Sequence, residues 1–209
     1  MIFRNLSGER LGEVEAGTFE GADFVNLDLR GVDLRRANIS VANFWGTNMS
    51  GGDMSDSLIR KSSFCVVQMS GANLQRSELE ESDLSHADFS HADFRQSTLK
   101  DIDFWGTDLS GANFSGARVA DIYFQNANLI GADFSGARLE NVDFSGADLT
   151  NVDFSGAEIS RSRFADSILR SVDFSKATVS GADWNGANIV EDESPEGEGI
   201  EPDVAGPEF

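Results

Sequence analysis

The sequence predicts an all-β fold, a four-sided solenoid, on three observations. Large apolar residues recur every five positions without a break: the 36 positions from Val14 to Ile189 all hold Val, Ile, Leu, Met, Phe or Trp. With 40% of the chain hydrophobic, chance would give such a run with a probability of about 10⁻¹⁴. Two residues before each large one the side chain is small: Ala, Ser, Thr or Gly fills 26 of the 34 positions from Ala22 to Ala187. A longer period of 20 then sorts the large residues into four columns.

Each five-residue unit follows from these positions. Large and small side chains two residues apart point the same way in an extended segment, so the residue between them points out. That middle residue is Asp, Asn or Glu at 24 of 34 positions from Asp23 to Asn188. Two residues after the large position, Gly occupies 14 of 34 places and Asn or Asp eight more, among them Asn26, Asp121 and Asn126. These residues tolerate positive φ, so each side ends in a tight turn. A helix of 3.6 residues per turn would smear a five-residue period around its whole surface, and a long flat strand would need period two.

The columns give the number of sides. Phe24, Phe44, Phe64, Leu84, Phe104, Phe124, Phe144, Phe164 and Trp184 form a mainly aromatic series, whereas Ile39, Ile59, Leu79, Leu99, Val119, Leu139, Ile159 and Val179 form one that is never aromatic. The Leu29 series is mostly aliphatic, and the Leu34 series turns to Phe from Phe94 to Phe174. Four columns imply four sides and about nine uninterrupted coils, a rod roughly 43 Å long at strand spacing.

Three segments are expected: an N-terminal cap over 1–13, the rod over 14–190, and a tail over 191–209. The tail has eight acids, no bases and all three prolines, a composition that predicts disorder. The 209 residues carry 16 Lys+Arg against 36 Asp+Glu, a formal charge of −20. Direct nucleic-acid binding is not expected of so acidic a chain. No apolar run follows the first charges and no stretch approaches a membrane span, so neither a signal peptide nor a membrane partner is expected, and the expected location is the cytoplasm. The single cysteine, Cys65, cannot form an internal disulfide.

Units such as Gly131-Ala132-Asp133-Phe134-Ser135, within GADFSGARLENVDFSGADLTNVDFSGAEIS, resemble the pentapeptide repeat family over about residues 14–190. The resemblance implies a right-handed quadrilateral β-helix. It also implies a function, because the best-known bacterial members resemble DNA, bind DNA gyrase or topoisomerase IV, and confer quinolone resistance. Two features of such relatives have no counterpart here: the apolar C-terminal helix that joins two rods, and loops projecting from the coils. A monomer or weak dimer is therefore expected.

The outward charge is uneven. The Phe24 and Leu29 sides carry ten acids against Arg30, Arg163 and Arg170, while the Leu34 and Ile39 sides carry 14 acids and 11 bases. Asp83, Asp88, Asp103, Asp108, Asp143 and Asp148 are thus candidate partner-binding residues. B-DNA carries one charge per ~1.7 Å, so a protein groove built for phosphates would also attract such aspartates. The other reading is that Asp is simply the residue this repeat favours between two inward positions.

The tetrad Phe-Trp-Gly-Thr occurs at 44–47 and at 104–107, three coils apart on one side. Trp45 and Trp105, with Tyr123 higher on the same side, are candidate partner-binding aromatics. Alternatively, each indole lies flat over its corner. His86 and His91 occupy equivalent corners that point apart, so they are expected to be solvated rather than metal ligands. Cys65 has no neighbouring base to activate it. No catalytic residue, metal or cofactor is expected. Two functions remain open: a DNA mimic that binds and modulates a type II topoisomerase or protects it from quinolones or a related toxin, and a generic protein-interaction scaffold.

Overall fold

The computed structural model describes residues 2–13 and 19–190. Val14, the expected first rung of the register, and the acidic segment 191–209 lie outside the described residues. Twelve strands occur in this order: β1 Ile2–Arg4, β2 Arg10–Glu13, β3 Asn38–Ser40, β4 Leu58–Arg60, β5 Glu78–Asp83, β6 Thr98–Asp103, β7 Arg118–Tyr123, β8 Arg138–Asp143, β9 Glu158–Ser160, β10 Ile168–Arg170, β11 Thr178–Ser180 and β12 Asn188–Val190.

The twenty-residue period becomes the coil. On the Ile39 side, β3 to β9 and then β11 stack into one parallel eight-stranded sheet, in which Ile39 pairs with Ile59, Ile59 with Leu79, and so on to Val179. The stack is close to the nine coils expected. The other three sides join neighbouring coils mainly through single parallel bridges, such as Asp23 to Asn43, Asp28 to Asn48 and Asp33 to Asp53, and the Leu29 side adds one parallel strand pair near its upper end, β10 with β12. Each bridge has paired backbone bonds: Phe24 N–H donates to the Asn43 carbonyl at 2.8 Å, and Asn43 N–H to the Ala22 carbonyl at 2.9 Å.

All 34 corner residues from position 21 to position 186 have φ between 49° and 71°. Twenty of them are not glycine, and Val41 and Val66 are β-branched. The square cross-section therefore stores backbone strain wherever a side chain sits in the left-handed region. Corners after the Phe24, Leu29 and Leu34 columns close as β-turns: Thr47 N–H donates to the Phe44 carbonyl, Gly52 to Met49 and Ser97 to Phe94, at 2.9–3.1 Å. Corners after the Ile39 column are built differently. The amides of Ala42, Ser62 and Val142 donate to the hydroxyls of Ser62, Ser82 and Ser162 in the next coil. Those hydroxyls donate in turn to the carbonyls of Arg60, Glu80 and Ser160. The chain there stays extended, and β5 to β8 run six residues across the bend.

The interior is filled by aromatic stacks. Phe104, Phe124, Phe144, Phe164 and Trp184 stack at centroid spacings of 4.3–5.2 Å. Phe94, Phe114, Phe134, Phe154 and Phe174 stack at 4.6–5.3 Å from the opposite side. The two columns meet edge to face, as at Phe134 and Phe144, whose planes lie at 90°. At the lower end, β1 and β2 form an antiparallel hairpin, and Leu6 N–H donates to the Gly31 carbonyl while Asp33 N–H donates to that of Arg4. These bonds cover backbone groups that the first coil would otherwise leave open. One buried side-chain atom, Ser57 Oγ, has no hydrogen-bond partner among the described residues.

Candidate partner-binding surface

The outward aspartates first serve their own corners. Oδ1 of Asp83, Asp88, Asp103, Asp108, Asp143 and Asp148 each accepts the amide two residues on, at 2.8–3.0 Å. Asn43, Asn48 and Asn113 make the same bond with their amide oxygens. The geometry of the turn therefore asks for Asp or Asn and is indifferent to charge. The negative charge at these six positions is an addition to what the fold requires.

Ion pairing then separates the sides. Eight of the ten ion pairs among the described residues lie on the Leu34 and Ile39 sides, including Arg60–Glu80, Arg76–Asp56, Arg95–Asp93 and Arg138–Glu158. The other two, Arg30–Asp28 and Arg163–Asp183, stand at the two ends of the Phe24 and Leu29 sides. Where the guanidinium is close the carboxyl responds. Hydrogen bonds from Arg35 hold Asp33 below its ordinary range. Burial pushes Asp93 up, but the bonds from Arg95 outweigh it and leave the group lowered.

The six candidate aspartates lie between those end pairs and form no ion pair among the described residues. They occupy three of four consecutive rows, Asp83 with Asp88, Asp103 with Asp108 and Asp143 with Asp148, the row between the last two holding Tyr123 with Asn128. Below them stand Ser63 and Gln68, and above them Arg163 and Ile168. The unpaired ladder is thus about 14 Å long at strand spacing, a third of the rod.

A third column joins it. Asp133, Asp153 and Asp173 on the Leu34 side accept the amide two residues on and likewise form no ion pair among the described residues. Counting charge over two sides at once hides them, because the Ile39 side contributes many bases. A local signal separates the two cases. Asp28, Asp33 and Asp93 have Arg two residues later and are paired by it, whereas Asp133, Asp153 and Asp173 have Ser there.

The aromatic candidates are exposed. Trp45 and Trp105 are each 44% accessible and Tyr123 51%. Trp105 does not lie free: the His86 imidazole of the coil below meets it edge-on at a centroid distance of 4.5 Å. A Cβ on Gly106 would stand 3.2 Å from that imidazole, and one on Gly111 only 2.5 Å from His91. Both histidines are thus packed under glycine corners. Asp103, Trp105, Tyr123, Gln125 and Asn126 line a shallow open hollow on the Phe24 side. Ile130 and Ile168, 40% and 38% exposed, add apolar contact area beside the acidic rows of the Leu29 side. No helix among the described residues is long and apolar enough to cross a membrane.

Comparison with known proteins agrees with this geometry. Residues 77–154 match a family model described as a pentapeptide repeat region, and residues 19–56 and 147–186 match one described as pentapeptide repeats in eight copies. No curated protein matches the sequence. Among solved structures, a trypsin-treated variant of QnrB1, a plasmid-mediated fluoroquinolone resistance protein, is similar with a TM-score of 0.60 at 20% identity, over 81% of this chain and 87% of that one. Full-length QnrB1 gives 0.50 at 20% identity, over 83% and 94%. HetL, a pentapeptide repeat protein involved in heterocyst differentiation regulation from the cyanobacterium Nostoc, gives 0.27 at 20% identity, over 83% and 90%.

Proposed function

The chain belongs to the pentapeptide repeat family, and from that premise we propose that it is a non-enzymatic cytoplasmic binding protein whose acidic rows mimic DNA towards a type II topoisomerase. The observation that carries the reading is the ladder of Asp83, Asp88, Asp103, Asp108, Asp143 and Asp148, whose charge the turns do not require and no base neutralises among the described residues. Phosphates on duplex DNA fall every ~1.7 Å of axis when both strands are counted. Two adjacent columns spaced about 4.8 Å per coil present a sparser but similarly one-signed surface. A groove lined by Arg and Lys would draw it in by the same field that draws DNA. The likeness to a fluoroquinolone resistance protein makes topoisomerase the target to test.

The test is gyrase supercoiling, and then topoisomerase IV decatenation, titrated with the protein with and without a fluoroquinolone. Inhibition, or fewer drug-induced DNA breaks, is expected. Indifference of both enzymes would remove the topoisomerase reading. The exposed rings of Trp45, Trp105 and Tyr123 favour a second reading, a scaffold that displays aromatic contacts to another protein. Alanine at the two tryptophans would then abolish binding while neutralising the aspartates would not.

A further inference from the structure

We propose that the hollow lined by Asp103, Trp105, Tyr123, Gln125 and Asn126 is a recognition site for an arginine side chain presented by a protein partner. This inference rests on the reading of the Phe24 side as a protein-contact face and specifies what that face reads. Four features of the site point to a guanidinium.

The first is charge with a free acceptor. Asp103 Oδ1 accepts the Trp105 amide at 2.8 Å, which fixes the carboxylate, and the group forms no ion pair among the described residues. The second is aromatic surface. Trp105 and Tyr123 are both about half exposed in consecutive coils and line the same hollow. Cations gain from the face of an indole or phenol ring, and a planar guanidinium gains more than a compact ammonium because it also stacks.

The third is order. His86 meets the Trp105 ring from the coil below, so this side chain is buttressed before any partner arrives. Above it, Gln125 Nε2 donates to Asp143 Oδ2 at 2.9 Å, which anchors the polar wall of the hollow and ties in a second carboxylate. The fourth is a comparison built into the chain. Trp45 stands in the same tetrad with the same exposure, but its own coil offers Asn43 where Trp105 has Asp103, and the coil above offers Ser63 and Cys65 where Trp105 has Tyr123 and Gln125. The two tryptophans share their local structure and differ in the charge and aromatic neighbours that a cation would use.

The experiment titrates the full-length ¹⁵N-labelled protein with hexaarginine and with hexalysine, following the tryptophan indole N–H signals in buffer containing about 0.15 M salt, where the Debye length is ~8 Å. The Trp45→Phe and Trp184→Phe variants assign the three signals. Hexaarginine is expected to shift the Trp105 signal saturably and leave that of Trp45 nearly still. Hexalysine, of equal charge, is expected to bind Trp105 about three- to five-fold more weakly, the ratio that cation–π and stacking differences give. Tyr123→Ala is expected to erase that preference and keep the weak attraction common to both peptides. Equal affinity for the two peptides, or equal shifts of Trp45 and Trp105, would overturn the proposal, and neither comparison needs a variant of the hollow. The assay contains no topoisomerase. A retained arginine preference with indifferent topoisomerases supports the hollow and removes only the identity of the target, whereas topoisomerase inhibition without the preference overturns the hollow alone.

Discussion

Asp83 and Asp103 are register partners in adjacent coils, and each spends one carboxylate oxygen on the amide two residues ahead, Ser85 N at 2.9 Å and Trp105 N at 2.8 Å. Two like charges at strand spacing repel, and salt screens them only in part. The turn bond survives if the carboxylate becomes an amide, since Asn43 and Asn48 already make it.

Converting Asp83, Asp88, Asp103, Asp108, Asp143 and Asp148 together to Asn is therefore expected to keep the fold and lose the partner. The melting temperature should stay the same or rise as repulsion is relieved. Affinity for a basic protein groove should fall more than tenfold, because both steering and docking lose six charges on one face. Circular dichroism melts alongside the supercoiling titration check both halves. A variant that inhibits as well as the parent would return these aspartates to a purely architectural role.

Acid should act on the opposite half of the rod. Asp33 and Asp93 are held below the ordinary carboxyl value by Arg35 and Arg95. A depressed folded-state pKa gives stability that is present above the unfolded value and is lost as pH falls through the folded one. Arg35→Gln with Arg95→Gln is thus expected to lower the melting temperature at pH 7, and the gap between parent and variant is expected to shrink as pH falls below the ordinary carboxyl range. A gap that stays constant from pH 7 down to the most acid pH at which both proteins remain folded would show that these arginines act through packing instead.

The fold is legible in this sequence to an unusual degree because one residue type serves one position for dozens of repeats. Phe134 is buried, Asp133 faces out and Gly136 turns the corner for reasons that can be read from spacing alone. The difference between the Ile39 corners and the other three is less visible, and its signal is the serine at positions 62, 82 and 162, whose hydroxyl replaces a turn carbonyl as acceptor. The unpaired carboxylates of Asp133, Asp153 and Asp173 escape a count of net charge because pairing is decided two residues away, by Ser or Arg, and not by the sum over a side. Contact between His86 and Trp105 links residues 19 apart and becomes predictable only once the coil length is known.

Ser57 Oγ is buried without a partner, whereas Ser77, one coil up in the same column, donates to the Leu74 carbonyl at 2.6 Å. The same column accepts Ala at 117, 137 and 157, all fully buried. Ser57→Ala should accordingly stabilise the protein by about 1 kcal/mol, and Ser77→Ala should destabilise it by about 1 kcal/mol. Paired denaturant titrations would detect the opposite signs, and equal effects would mean that Ser57 finds a partner in solution.

Val41 holds φ at 55° and is 59% exposed. A β-branched residue in the left-handed region costs about 1–2 kcal/mol relative to one that tolerates it, and little burial is lost by replacing this side chain. Asn occupies equivalent corners at 26, 126, 141 and 151. Val41→Asn is expected to raise the melting temperature by roughly 2–4 °C, the response of a domain this size to about 1 kcal/mol. A fall would indicate that the valine covers neighbouring backbone more than it strains its own.

The aromatic column sets how the rod fails. Phe134 is fully buried, stacked on Phe114 at 4.6 Å and on Phe154 at 5.3 Å, and meets Phe124 and Phe144 edge-on at 6.1 Å. Truncation to Ala should cost about 3–5 kcal/mol, since neighbours locked in a stack cannot collapse into the space. Leucine is the resident of this same column at 34 and 74, so Phe134→Leu should cost less than half as much. In a solenoid each coil is supported only by its neighbours, so the alanine variant should also unfold in two steps, the coils on either side of the cavity separating their transitions. Melts followed by Trp45 fluorescence, below the cavity, and Trp184 fluorescence, above it, would report the two halves, each read in a background lacking the other tryptophans. Coincident transitions would show instead that the stacks bind the rod into one cooperative unit whose stability is shared along its length.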